Sequence, residues 1–241
     1  MKQFLDQLRT RADIPHEALA RREYQALPLL GSLDMRGLTF HTLMTEDPSF
    51  FVDVLCDVYR SAHRDQSQEI PPTPEEEARA RAAYILLEGM DRLPGQHEGG
   101  EIDEAVLWQW IDGVRSRAAE HDRAAIADVK IGNILAHAPA DPEDGGWPHH
   151  SVRNIVEQMT TDEINRGVMI ERYNMRGVFN KAVYEGGEQE RALASQYRGW
   201  ADISRVHWPG MARVLDEIAE GWEADARRED ARAEQDKMIF C

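Results

Sequence analysis

Cysteine is nearly absent from this chain. There are two in 241 residues, Cys56 inside an apolar helical pattern and Cys241 at the last position. A disulfide-stapled secreted scaffold needs many more, so the composition points to a reduced, cytoplasmic protein. Long apolar runs are missing too: none approaches the roughly 18 residues of a membrane-spanning helix, which excludes a membrane span, and no membrane partner is expected. The opening MKQFLDQLRTRADIP carries a charge every few residues and lacks the apolar centre of a signal peptide. Basic residues are few, 28 Lys and Arg against 44 Asp and Glu, and the net charge of -16 is spread along the chain. That field repels a phosphate backbone, and the nearest basic cluster, Arg21–Arg22, is too small to reverse it. Nucleic acid is therefore disfavoured as a partner.

The sequence also lacks the short motifs that carry common chemistries. There is no GxSxG elbow, no GxxxxGK[ST] or GxGxxG phosphate loop, and no HExxH or CxxC metal pattern. No cofactor is expected, and nothing in the sequence names a small-molecule ligand.

What the sequence does have is helix. The apolar content of 42% is enough to bury a core, and its periodicity is close to 3.6 almost everywhere. In EDPSFFVDVLCDVYRSA, Asp47 reads as an N-cap and Pro48 as the first helical residue, with Phe51, Val54, Leu55, Val58 and Tyr59 at helical spacing. TPEEEARARAAYILLEGMDRLPG pairs Thr73 with a capping-box Glu76, and its buried stripe is expected at Ala80, Ala83, Tyr84 and Leu87. Asp103 caps a helix that buries Leu107, Trp110, Ile111 and Val114, leaving Trp108 off the stripe. A short helix follows through AAIADVKIGNILAHA, and then PADPEDGGWPHH, a loop dense in Pro, Gly and Asp. This loop suggests an N-terminal part, 1–138, and a C-terminal part, 149–241, with 139–148 between them, the two expected to form one compact unit.

Beyond the loop, Thr160 and Glu163 suggest a capping box for a helix to about Asn174. The next helix should place Leu193, Tyr197, Trp200 and Ser204 on one face. Pro209 starts the last helix, with Met211, Val214, Leu215, Ile218 and Trp222 as its stripe. From Glu223 to Lys237 the apolar face vanishes, and acid–base pairs three and four apart are expected to carry the helix into solvent. The fold class is all-α: an irregular multi-helix bundle or helical-hairpin stack with a charged C-terminal helix.

Four places invite a functional reading. His149 and His150 are the metal candidates, with Asp141, Asp144 or Glu157 as carboxylate partners, although neighbours in an extended loop should point apart. Cys56, with His41 and His63 in sequence reach, is the nucleophile candidate, but a mid-helix thiol is usually a small buried hydrophobe. Gly186–Gly187 precedes a helix, yet Glu185 and Glu188 oppose an anion there, so a sharp turn is expected and not a nucleotide cradle. The fourth is NMRGVFNKAVYEGGEQE, residues 174–190, longer than the roughly 2–8 residues that usually join neighbouring helices. Its Arg176, Phe179, Lys181 and Tyr184 form a non-acidic surface on an acidic chain, suited to contact a protein.

The segments HHSVRNIVEQM, RGVMIERYNMRGVFNKAVYEGGEQERALASQYRGWA and WPGMARVLDEIAEGWEADARRED resemble the C-terminal helical region of large, poorly characterised bacterial multidomain proteins. The earlier RADIPHEALARREYQALPLL and EDPSFFVDVLCDVYR are similar to the part preceding it. Some such proteins are suspected in phage defence. The resemblance implies a fragment or subunit of a larger assembly, and it transfers no catalytic residue. Together these readings favour a non-enzymatic interaction or scaffold module that contacts a protein partner or other domains of a larger chain. A metal-assisted hydrolase near His149 and His150 is the alternative.

Overall fold

The structure, a computed structural model, describes residues 15–30, 39–61, 71–159, 161–182 and 184–240. The described residues form ten helices. Their only β pairing is one antiparallel bridge, Gln96 with Ile102. The all-α reading holds. The helices are α1 (His16–Leu30), α2 (Phe40–Glu46), α3 (Pro48–Val58), α4 (Pro74–Glu88), α5 (Glu104–Glu120), α6 (Ala124–Leu135), α7 (His150–Gln158), α8 (Asp162–Asn174), α9 (Glu188–Ser204) and α10 (Pro209–Phe240). The chain divides into two compact units between Asp128 and Val129, inside α6. The loop 139–148, read from sequence as the boundary, lies within the second unit.

In the first unit α3 packs on α4 and α5, and α1 on α2 and α4. The caps are those the sequence predicts. Asp47 accepts from Ser49 N with Pro48 in the first turn, Thr73 and Glu76 close a reciprocal capping box, and Asp103 accepts from Ala105 N and Val106 N. Phe40, Phe50, Phe51, Leu55, Leu86 and Ile111 are wholly buried. The Trp110 indole N–H donates to the Met44 carbonyl at 2.8 Å, so this large ring enters the core with its polar group satisfied.

Two sequence expectations fail here. The buried face of α4 is Ala83, Leu86 and Leu87, while Tyr84 is 49% exposed. Tyr84 fits a helical stripe as well as Leu86 does, and packing buried the leucine. Cys56 is half-buried and not a core residue. Arg21, half of the Arg21–Arg22 cluster, pairs with Asp47 at 2.7 Å and Glu17 at 3.0 Å, so its charge is matched locally.

The second unit is organised around α9 and α10, an antiparallel pair joined by the short turn at 205–208. Helix α10 buries Met211, Val214, Leu215, Ile218 and Trp222, the predicted stripe, and continues to Ala226. Helix α9 buries Glu190, Ala194, Tyr197, Ala201 and Ser204, while Leu193 and Trp200 are only half-buried. The cap of α8 is Thr161, which accepts from Ile164 N. Thr160, the predicted cap, lies outside the described residues. Helices α6 and α8 cross at Gly132 and Gly167. A Cβ on Gly132 would stand 2.1 Å from the Ile164 carbonyl oxygen, and one on Gly167 2.1 Å from that of Val129, so only glycine permits this approach.

Candidate functional site

The long connection between α8 and α9 is a braced loop. Helix α8 stops after Asn174, and Gly177 takes a left-handed φ of 63° that a β-carbon would strain. Tyr184 has the same hand, φ 69°, and Gly186 has φ 67°. The bracing comes from Glu190, 1% exposed in the first turn of α9. Its Oε1 accepts from Arg176 at 2.5 Å and its Oε2 from Lys181 at 2.7 Å. Lys181 also donates to Glu229 at 3.2 Å and to the Gly186 carbonyl at 3.0 Å. Gly187 N donates to Asp230 Oδ1 at 2.8 Å. The backbone N–H at the start of α9 is thus taken by α10, and the double glycine serves a close approach and not an anion.

Arg176 and Lys181 therefore do not form the exposed cationic surface that the sequence suggested. Their side chains are 14% and 15% exposed and are spent on an internal carboxylate. Glu190 itself passed unnoticed in the sequence, where it reads as an ordinary first-turn acid. Burial alone would raise its pKa, but the hydrogen bonds from Lys181 and Arg176 hold it below the usual carboxylate range. The loop shows three large apolar side chains to solvent: Val178 is 100% exposed, Phe179 45% and Tyr184 38%. The Arg176 guanidinium lies 3.5 Å over the Phe179 ring and fixes it in place. Phe179 borders a hollow of about 360 Å³ beside Trp222 and Glu229, and a shallow groove of about 710 Å³ along Gln189, Ala192, Leu193 and Gln196.

The second place is the start of α7. His149 is the N-cap, its Nδ1 accepting from Ser151 N at 3.3 Å, and His150 is the first helical residue. The two rings do not point apart as an extended loop would require. Their centroids are 4.2 Å apart with planes tilted 32°, because the chain has already begun to turn as a helix. His150 donates twice to Asp141 Oδ2, from its backbone N at 2.7 Å and from Nδ1 at 2.8 Å. Asp141 is 3% exposed and His149 1%, and one ligand atom from each of Asp141, His149 and His150 lies within 4.8 Å of the others. Burial would raise the Asp141 pKa, but backbone N–H groups of Glu143 and His150 and the His150 ring hold it low.

Asp144 and Glu157 do not join this group. Asp144 receives two hydrogen bonds, at 2.5 and 2.9 Å, from the fully buried Arg153, and Arg153 also donates to the Pro148 carbonyl at 2.6 Å. Glu157 accepts from Gly210 N at 2.6 Å and so caps the start of α10. The nucleophile reading of Cys56 weakens: burial pushes its thiol pKa up, and the His41 Nε2 donates to the Leu86 carbonyl at 3.3 Å. His63 lies outside the described residues. A cleft of about 650 Å³ beside His41 is walled by Arg92, Gln96 and Trp110. Two of its polar groups are turned onto backbone, Arg92 donating to the Gln96 carbonyl at 2.9 Å and Gln96 Oε1 accepting from Leu93 N at 3.1 Å.

Fold and site together define an all-α, acidic chain with a braced loop that displays apolar side chains, and with a separate histidine–aspartate cluster. No protein-family model matches it, and comparison with curated proteins and with solved structures finds no match either.

Proposed function

We propose that this chain is a non-enzymatic, cytoplasmic interaction module that docks a protein partner, or another part of a larger assembly, through the loop between α8 and α9. The observation that carries this is Val178, an apolar side chain wholly in solvent beside Phe179, on a backbone anchored by the buried Glu190. Ordering costs are met in advance when a contact loop is pinned before its partner arrives, and an anchored aromatic next to a groove suits a hot spot. The surroundings select the partner's chemistry. Glu185, Glu188, Asp225 and Glu229 lie beside the loop in sequence or line its hollow, on a chain of net charge -16. The fitting partner is a protein that seats an apolar side chain beside Phe179 and carries basic residues around it.

The test places a photo-crosslinking amino acid at Val178 in cells of the source organism. The expected result is one dominant crosslinked protein, lost with Phe179→Ser and weakened at high salt. Crosslinks only to a second copy of this chain, or crosslinks indifferent to Phe179→Ser, overturn the reading.

A further inference from the structure

We propose that Asp141, His149 and His150 form a site for one divalent transition-metal ion, such as Zn²⁺, with a coordination position open to solvent. The site is separate from the loop at 175–187, and it does not depend on the docking role.

The donor set is the first argument. Two imidazoles and one carboxylate suit Zn²⁺, Co²⁺, Ni²⁺ or Cu²⁺ and discriminate against Mg²⁺ and Ca²⁺, which prefer all-oxygen shells. Three protein ligands leave room for a water or an exogenous donor. His150, whose side chain is 42% exposed, provides the opening, while Asp141 and His149 form a buried wall.

Distance is the second. Ligand atoms within 4.8 Å of one another place a central ion at most about 2.8 Å from each. Bonds of about 2.0–2.2 Å are reached by closing each donor in by at most about 0.6–0.8 Å. The ion takes the place of the proton between His150 Nδ1 and Asp141, and the neutral imidazole then carries its one proton on Nε2, exchanged through water, so the ring gains and loses no net proton.

The third argument is the support beneath the donors. Asp141 N donates to the Gly146 carbonyl at 2.7 Å, His149 N to the Pro139 carbonyl at 2.9 Å, and the Trp147 indole to the Ala138 carbonyl at 2.8 Å. Buried Arg153 ties Pro148 to Asp144. A loop held at this many points keeps its ligands close to a binding geometry, which is what separates a site from a chance meeting of side chains.

The test uses the full chain without an affinity tag, stripped with EDTA and titrated with Zn²⁺ by calorimetry and with Co²⁺ by visible absorption. Expected are one ion per chain, the intense visible bands of four-coordinate cobalt, and a melting temperature that rises with Zn²⁺ concentration. His150→Ala should weaken binding by at least about tenfold, the low end of what even an outer-shell partner is worth. Should His150→Ala melt early in EDTA, His150→Gln keeps a donor toward Asp141, removes the imidazole, and must show the same loss. A flat isotherm, or stoichiometric binding that survives both substitutions, overturns the assignment. Weak, unsaturable uptake equal in wild type and variants marks an adventitious ion only, and overturns it equally.

Discussion

Arg176 donates a 2.5 Å hydrogen bond to Glu190, a carboxylate that is 1% exposed and shares its other oxygen with Lys181. Removing both cations leaves a buried charge with neither of these partners. Arg176→Ala with Lys181→Ala should therefore destabilise the second unit by about 3–5 kcal/mol, the usual cost of breaking a buried pair. Denaturant unfolding checks this. A loss below about 1 kcal/mol would mean that water reaches Glu190 and solvates it.

Acid should loosen the same region. The carboxyls of Glu190, Asp144 and Asp141 all sit below their ordinary range in the folded chain. A depressed folded pKa adds stability above the unfolded value, about 4, and that stability is lost as pH falls through the folded value. Melting temperature should hold near neutrality and fall below about pH 4. Glu190→Gln should shallow that fall, and an unchanged slope would assign it to other carboxylates.

Glycine substitutions should split in sign. Gly167→Ala forces a β-carbon into the Val129 carbonyl at the α6–α8 crossing and should cost about 1–3 kcal/mol, the range for overpacking. Gly199→Ala, in the exposed interior of α9 with nothing within 4 Å, should stabilise by about 0.4–1 kcal/mol. Equal effects at the two positions would show that the helices do not cross at Gly132 and Gly167.

Cys56 should react slowly with a thiol reagent near neutral pH, since burial raises its pKa and lowers the thiolate fraction. Labelling should speed up in denaturant and as pH rises toward 9. Fast labelling of Cys56 in the native protein, separated from Cys241 by peptide mapping, would show an activated thiol.

Helix boundaries were legible because their signals are local. Asp47–Pro48, the Thr73–Glu76 box, Asp103 and Pro209 each act within one turn of themselves, and each starts a helix where predicted. What failed depended on distant partners. Tyr84 and Leu86 both fit a helical stripe, and only packing against other helices decides between them. Glu190 looks like a dipole-matching acid until Arg176, fourteen residues earlier, folds back onto it. The meeting of His150 with Asp141, nine residues apart, needed the shape of the intervening loop. One signal was available for it: Asp141 precedes a Gly-rich turn, where an aspartate commonly gathers backbone N–H groups.

The antiparallel pair α9–α10 is joined by the chain at its turn, 205–208, and at the far end is held by contacts alone, where Gly187 packs on Ala226 and its N–H donates to Asp230. The braced loop rides on that far end. Amide exchange should be slowest near the turn and quicken toward Gly187, since end fraying costs far less than global unfolding. A protein seated on Phe179 would then act as a clasp, slowing exchange at Glu190 and Asp230 without touching either.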